Sequence, residues 1–168
     1  MKQKILSAVI YATTALALAQ FLDDLYAGEP VTDHLGLIYL AIAGTILFAA
    51  ACILSLFTLR VGVVCGLGGG ILSWPGFAIA IPRIPWGSVV SIFPYSNWRY
   101  VLTAILALVV SSAYTVNRLR VLLRGRNDLE GRNMGLKLAG TLFYAAGIFV
   151  LTHWRSIWEW LFRLRYGN

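Results

Sequence analysis

Charge is scarce in this sequence. Charged residues make up 12% of the chain against 59% hydrophobic, and the mean hydropathy is +0.75. Water-soluble domains carry about 25% charged residues. A fold of 168 residues cannot hide this much apolar surface from water. Lipid lifts that requirement, because a lipid-facing side chain can be as apolar as one in the core. Cysteine is nearly absent too. Cys52 and Cys65 are the only two, both lie within apolar runs, and no C-x-x-C occurs. This excludes a disulfide framework and leaves two thiols acting as small hydrophobes.

Other absences bear on chemistry. No charged residue lies in the middle of any apolar run. Proton pumps, ion-coupled carriers and voltage sensors place ionisable groups there. The chain has no G-x-S-x-G, H-E-x-x-H or Walker A pattern, and no acidic pair within an apolar run. The expectation is a protein without a catalytic centre, a resident metal or a cofactor. No internal repeat or low-complexity segment is evident.

What the chain does have is long apolar stretches. A helix crossing hydrocarbon needs about 20 mostly apolar residues. Five stretches approach or exceed that length: 5–22, 35–59, 61–81, 100–117 and 138–154. They are continuous rather than alternating, which excludes β-barrel strands. The fold class is therefore all-α, a polytopic transmembrane helix bundle forming one domain over 1–168. Lys2 and Lys4 precede an apolar segment ending Ala17-Leu18-Ala19, a pattern shared with cleavable signals. The segment is read as an uncleaved first helix.

The net charge of +7 sits in the gaps between these runs. No groove-sized basic patch is implied, and nucleic acid is not an expected partner. With the N-terminus inside, nine basic residues fall on the cytoplasmic side, from Lys2 and Lys4 through Arg60 to the 118–137 loop. Five remain outside, namely Arg83, Arg99, Arg155, Arg163 and Arg165. The first outer loop is acidic, with Asp23, Asp24, Glu29 and Asp33. The positive-inside rule thus favours N-in and C-out. Only Arg60 separates the second and third runs, so a tight helical hairpin is expected there. The aromatic, proline-bearing loop 82–99 should lie at headgroup level, with a short helix at 87–93. Residues 155–166 have apolar side chains at helical spacing and are read as an interfacial amphipathic helix extending the fifth span. Lysine flanks and an uncleaved first helix point to a bacterial inner membrane.

Packing signals are abundant. Gly62, Gly66 and Gly70 are spaced by four and share a helix face, with Gly68 and Gly69 adding bare backbone. Small residues let helices approach closely in lipid, where the hydrophobic effect does not drive association. Ala8, Ala12, Ala15 and Ala19 on the first run offer a partner face, and Gly140 and Gly147 on the fifth offer another. Just beyond the glycines, Gly69, Ser73, Trp74, Pro75 and Gly76 mark a kink. Pro75 has no N–H, so the Ile71 carbonyl loses its helical partner. Broken helices of this kind can form transport sites. A simple kink resolved by Ser73 or a neighbour is the plainer reading.

Two further groups complete the candidates. His34 and His153 fall at one depth near the outer surface and could hold a haem or metal ion. Arg118, Arg120, Arg124, Arg126, Arg132 and Lys137 form a cytoplasmic handle for anionic lipids or an acidic partner. Neutral side chains within the runs, among them Thr13, Thr14, Thr45, Ser55, Ser73, Ser111, Ser112 and Thr141, should bond to their own backbone or across helices. The leading functional expectation is a non-catalytic accessory or scaffold subunit, or a homo-oligomer built on the glycine face. The alternatives are a small transporter or channel for a neutral or hydrophobic solute at the third helix, and a membrane enzyme or cofactor protein using the histidines.

Overall fold

The computed structural model describes residues 2–27, 35–80, 98–124 and 134–166. Among these residues the chain is entirely helical. The helices are α1 (Lys2–Ala27), α2 (Leu35–Phe57), α3 (Leu59–Ala80), α4 (Trp98–Arg124), α5 (Met134–Thr152) and α6 (Trp154–Tyr166). Four of them, α1, α2, α4 and α5, are long and apolar enough to cross a membrane. The third run folds as the 22-residue helix α3 but is not among those four. The segment expected to form a short helix at 87–93 lies outside the described residues.

Helix α1 sits at the centre. It packs most closely on α2, then on α4 and α5, and touches α3 lightly. Helix α3 bridges α2 and α4, which places α2, α3, α4 and α5 in an arc around α1. Tyr11, Leu18, Phe21, Phe48, Phe77 and Leu108 form the main core, drawn from α1, α2, α3 and α4. The Phe21 and Phe77 rings lie 4.6 Å apart, and Tyr11 meets Phe48 at 6.1 Å. A smaller core of Ala17, Ala107 and Ile148, backed by Tyr144, joins α1, α4 and α5.

The α2–α3 hairpin turns at Thr58, two residues before the expected Arg60. Thr58 N–H donates to the Leu54 carbonyl at 2.7 Å, and the Thr58 carbonyl accepts from Gly62 N–H at 3.1 Å. Thr58 thus closes one helix and opens the next as its N-cap. Arg60 belongs to the first turn of α3 and is exposed. Lys4 of α1 reaches this end of the bundle, donating from Nζ to the Phe57 carbonyl at 2.7 Å. A cation on the last carbonyl of α2 complements the negative end of the helix dipole.

The hairpin also holds a repeat that the sequence reading missed. Gly44 of α2 lies against Ser73 of α3, and Gly62 of α3 lies against Ser55 of α2. Each pair puts a glycine where any β-carbon would collide with the serine Oγ. The two segments, 44–55 and 62–73, align with Gly44 on Gly62 and Ile53-Leu54-Ser55 on Ile71-Leu72-Ser73. The two segments lie 18 residues apart in sequence, one on each helix of the hairpin. Burial repeats as well: Ser55 and Ser73 are fully buried, while Ile53 and Ile71 are exposed. Between the pairs, Gly44 and Gly69 bring each other's carbonyl within reach of Cα–H···O contact, with a β-carbon on Gly69 falling 3.1 Å from the Gly44 carbonyl oxygen.

The chain leaves α5 at a bend on His153, so α6 is a separate helix rather than a straight extension. Helical hydrogen bonds still span the bend, from His153 N–H to the Phe149 carbonyl and from Ile157 N–H to the His153 carbonyl. Trp160, Leu161, Phe162 and Leu164 of α6 are exposed.

Gly44→Leu should cost about 1–3 kcal/mol through overpacking against backbone, read as a lowered unfolding temperature in mild detergent. Gly36→Leu, where no atom lies within 4 Å of the added β-carbon, should leave that temperature unchanged. Equal effects of the two would contradict the packing described.

Candidate functional site: a polar seam between the first and fourth helices

Polar side chains on α1 and α4 meet along one line. Ser7, Tyr11 and Thr14 recur at helical spacing on one face of α1. Ser111, Tyr114, Thr115 and Arg118 do the same on α4. Ser7 Oγ bonds Tyr114 OH and Tyr11 OH bonds Thr115 Oγ1 at 3.0 Å, while the antiparallel run of the helices brings Thr14 to the level of Ala107. Ser7 Oγ also donates to the Gln3 carbonyl at 2.9 Å, which leaves it accepting from the Tyr114 hydroxyl. Thr14 Oγ1 lies 2.8 Å from its own-turn carbonyl, Ile10, and 3.4 Å from the Ala107 carbonyl across the seam.

Arg118 closes the seam at one end. Its Nε donates to Tyr114 OH at 3.2 Å, and its guanidinium carbon stands 5.4 Å from that ring's centroid. The stem folds back along its own helix, and the residue is only 6% exposed. Trp74 ties α3 into the same system, with Nε1–H donating to Ser112 Oγ at 3.1 Å. Each hydroxyl in this seam links two helices or returns to its own backbone. The arrangement positions helices; it sets no nucleophile beside a base.

The glycine face is used within the chain, and each glycine meets a different helix. Gly62 packs on Ser55 of α2. A β-carbon on Gly66 would fall 2.5 Å from Tyr11 Cε1 of α1, and one on Gly70 would fall 3.5 Å from Ser112 Oγ of α4. It is Tyr11, not the alanine stripe, that meets the glycines on α1. Ala8 is buried, Ala15 half-buried, and Ala12 and Ala19 are exposed. Gly140 and Gly147 of α5 have nothing within 4 Å of an added β-carbon.

The kink residues divide between faces. Helix α3 continues through Pro75, which is exposed. Ser73 is fully buried against Gly44, and its Oγ finds no hydrogen-bond partner among the described residues, so it does not take up a carbonyl freed by Pro75. Trp74 faces α4. His34 lies outside the described residues. His153 is half-buried; its Nδ1 stands 3.0 Å from Thr152 Oγ1, and its ring stacks on Phe149 at 4.4 Å. Among the described residues no group of three His, Cys, Asp or Glu could hold a metal ion. Of the basic handle, Arg120, Arg124 and Lys137 are exposed, and Arg118 is drawn into the seam instead. Arg126 and Arg132 lie outside the described residues.

The seam was open to detection from sequence, because its polar residues recur every three or four positions on two apolar runs. Each hydroxyl looks unremarkable alone; only the shared period marks a stripe. With this geometry in place, the chain falls in the class of helical proteins carrying membrane-length apolar helices, four among the described residues. No protein-family model, curated protein or solved structure matches it.

Interhelical hydrogen bonds of this type in a membrane protein average about 0.6 kcal/mol and reach about 1.7. Ser7→Ala and Tyr114→Phe should each lower stability within that range. A double-mutant cycle in detergent should show them coupled, and strict additivity would contradict the bond.

Proposed function

We propose that this protein is a non-catalytic integral membrane subunit, an accessory or scaffold protein that presents α5 to a partner helix. The observation that carries this reading is the contrast between the two small-residue faces. The glycines of α3 are filled by Ser55, Tyr11 and Ser112 of the same chain, whereas Gly140 and Gly147 of α5 stand open. Leu136, Leu142 and Phe143 of α5 are also exposed, Phe143 at 82%. Helix α5 is the least buried of the four membrane-length helices. A helix with open glycines beside exposed large side chains suits close packing on a neighbour in lipid. The consumption of polar side chains in the seam supports a structural role over a chemical one.

In this reading the chain crosses a bacterial inner membrane five times, N-in and C-out, with α3 as the third crossing. The antiparallel packing of α2 on α3 supports that count, since both ends of the hairpin are then at bilayer surfaces. Arg60 and Lys4 share the inner surface with Arg120, Arg124 and Lys137, where anionic headgroups would attract them. Helix α6 lies in the outer interface with its aromatic side chains toward the acyl chains.

Two experiments test this. In a Cys52→Ala/Cys65→Ala background, Arg60→Cys and Asp128→Cys should react with an impermeant maleimide only after the cells are opened, and Glu29→Cys in intact cells. Labelling of Asp128→Cys from outside would overturn the topology. Separately, the protein extracted in mild detergent should exceed its 18.5 kDa mass as a defined assembly. Gly140→Leu/Gly147→Leu should return it to a monomer with an unchanged unfolding temperature. A monomeric wild type that captures no partner would refute the subunit reading.

A further inference from the structure

We infer that Arg99 binds a phosphate group at the outer end of the bundle. Arg99 is 5% exposed, and its Nε and Nη1 are buried with no hydrogen-bond acceptor among the described residues. Its guanidinium carbon stands 5.7 Å from the Tyr100 ring centroid, a contact that uses no N–H donor in a hydrogen bond. A buried cation without an acceptor is strongly unfavourable.

Its position makes the electrostatic problem worse. Arg99 is the second residue of the 27-residue helix α4, whose first turn carries no acidic residue. The first-turn backbone N–H groups and the positive dipole end already sit there. Helical side chains lean toward the N-terminus of their helix, so the guanidinium shares that space with the backbone donors. A cation added to a positive helix end calls for an anion, and phosphate is the usual occupant of such an end. Arginine donors form strong charge-assisted hydrogen bonds to its oxygens.

Neighbouring residues fit the same reading. Residues 81–97, which lead into α4, contain no carboxylate. On α1, Asp23 is exposed. Gln20 and Arg99 both lie outward of the Ala17–Ala107–Ile148 level, and Gln20 Oε1 is buried without a partner as well. The site falls at the end of an apolar span, the depth of lipid phosphates, so the proposed crossing of α4 makes a phospholipid headgroup the natural source. Free phosphate offers the same chemistry.

The test uses the full chain in mild detergent, in an Arg120→Gln/Arg124→Gln background that removes competing surface cations. Phosphatidylglycerol retained in native mass spectrometry should fall about tenfold or more on Arg99→Gln, with Arg99→Lys intermediate. The lysine variant also serves if the glutamine variant fails to fold. Inorganic phosphate is titrated in parallel against unfolding temperature. A shift with phosphate alone, lost on Arg99→Gln, supports the site with free phosphate as the source, and it does so whatever the topology. Indifference of both probes to residue 99 would overturn the inference. So would loss of stability on Asp24→Asn, Glu29→Gln or Asp33→Asn that is non-additive with Arg99→Gln, because an internal carboxylate would then be the acceptor.

Discussion

The fold depends on close approach between α2 and α3. Helices this apolar gain nothing from lipid by burying hydrophobic surface on each other, so backbone contact and hydrogen bonds must hold them. The two reciprocal glycine–serine pairs supply that contact, Gly44 on Ser73 and Ser55 on Gly62. Glycine is intrinsically costly in a helix, by about 1 kcal/mol relative to alanine. Helix α3 carries six glycines between Gly62 and Gly76 and a proline, and would be a poor helix alone. Its packing on α2, α1 and α4 compensates by turning the missing side chains into contact area.

The seam between α1 and α4 depends on the same arrangement. Tyr11 can reach Thr115 because its ring lies over Gly66, where a larger residue would displace it. Phe48 packs on Gly69 and on Tyr11, so the hairpin and the seam share one core. Tyr11 thus ties α1 both to the glycines of α3 and to α4. Helix α5, joined to this core through Ala17, Ala107 and Ile148, is left with most of its surface uncovered.

Much of this was legible in the sequence. Five apolar runs each became a helix, because apolar length and the need to satisfy backbone groups leave few other options. Ends were less legible. Thr58, not Arg60, turns the hairpin: its backbone N–H closes α2 and its carbonyl opens α3. The bend at His153 carries no proline or glycine signal. Partners were least legible: nothing in the spacing of Gly62, Gly66 and Gly70 says that each faces a different helix. The 18-residue repeat was missed because only Gly44/Gly62 and Ile53-Leu54-Ser55/Ile71-Leu72-Ser73 coincide, with dissimilar residues between. Arg118 and Arg99 sit at run ends, where charge reads as surface; only the packed structure shows them buried.

The reciprocal pairing of α2 and α3 can be measured by cross-linking in the Cys52→Ala/Cys65→Ala background. Gly44→Cys/Ser73→Cys and Ser55→Cys/Gly62→Cys should each form an intramolecular disulfide on mild oxidation, since each glycine lies directly against the paired serine side chain. The crossed pair Gly44→Cys/Gly62→Cys, separated by roughly 16 Å along the hairpin, should remain reduced. Rapid cross-linking of the crossed pair, or none in either direct pair, would contradict the account.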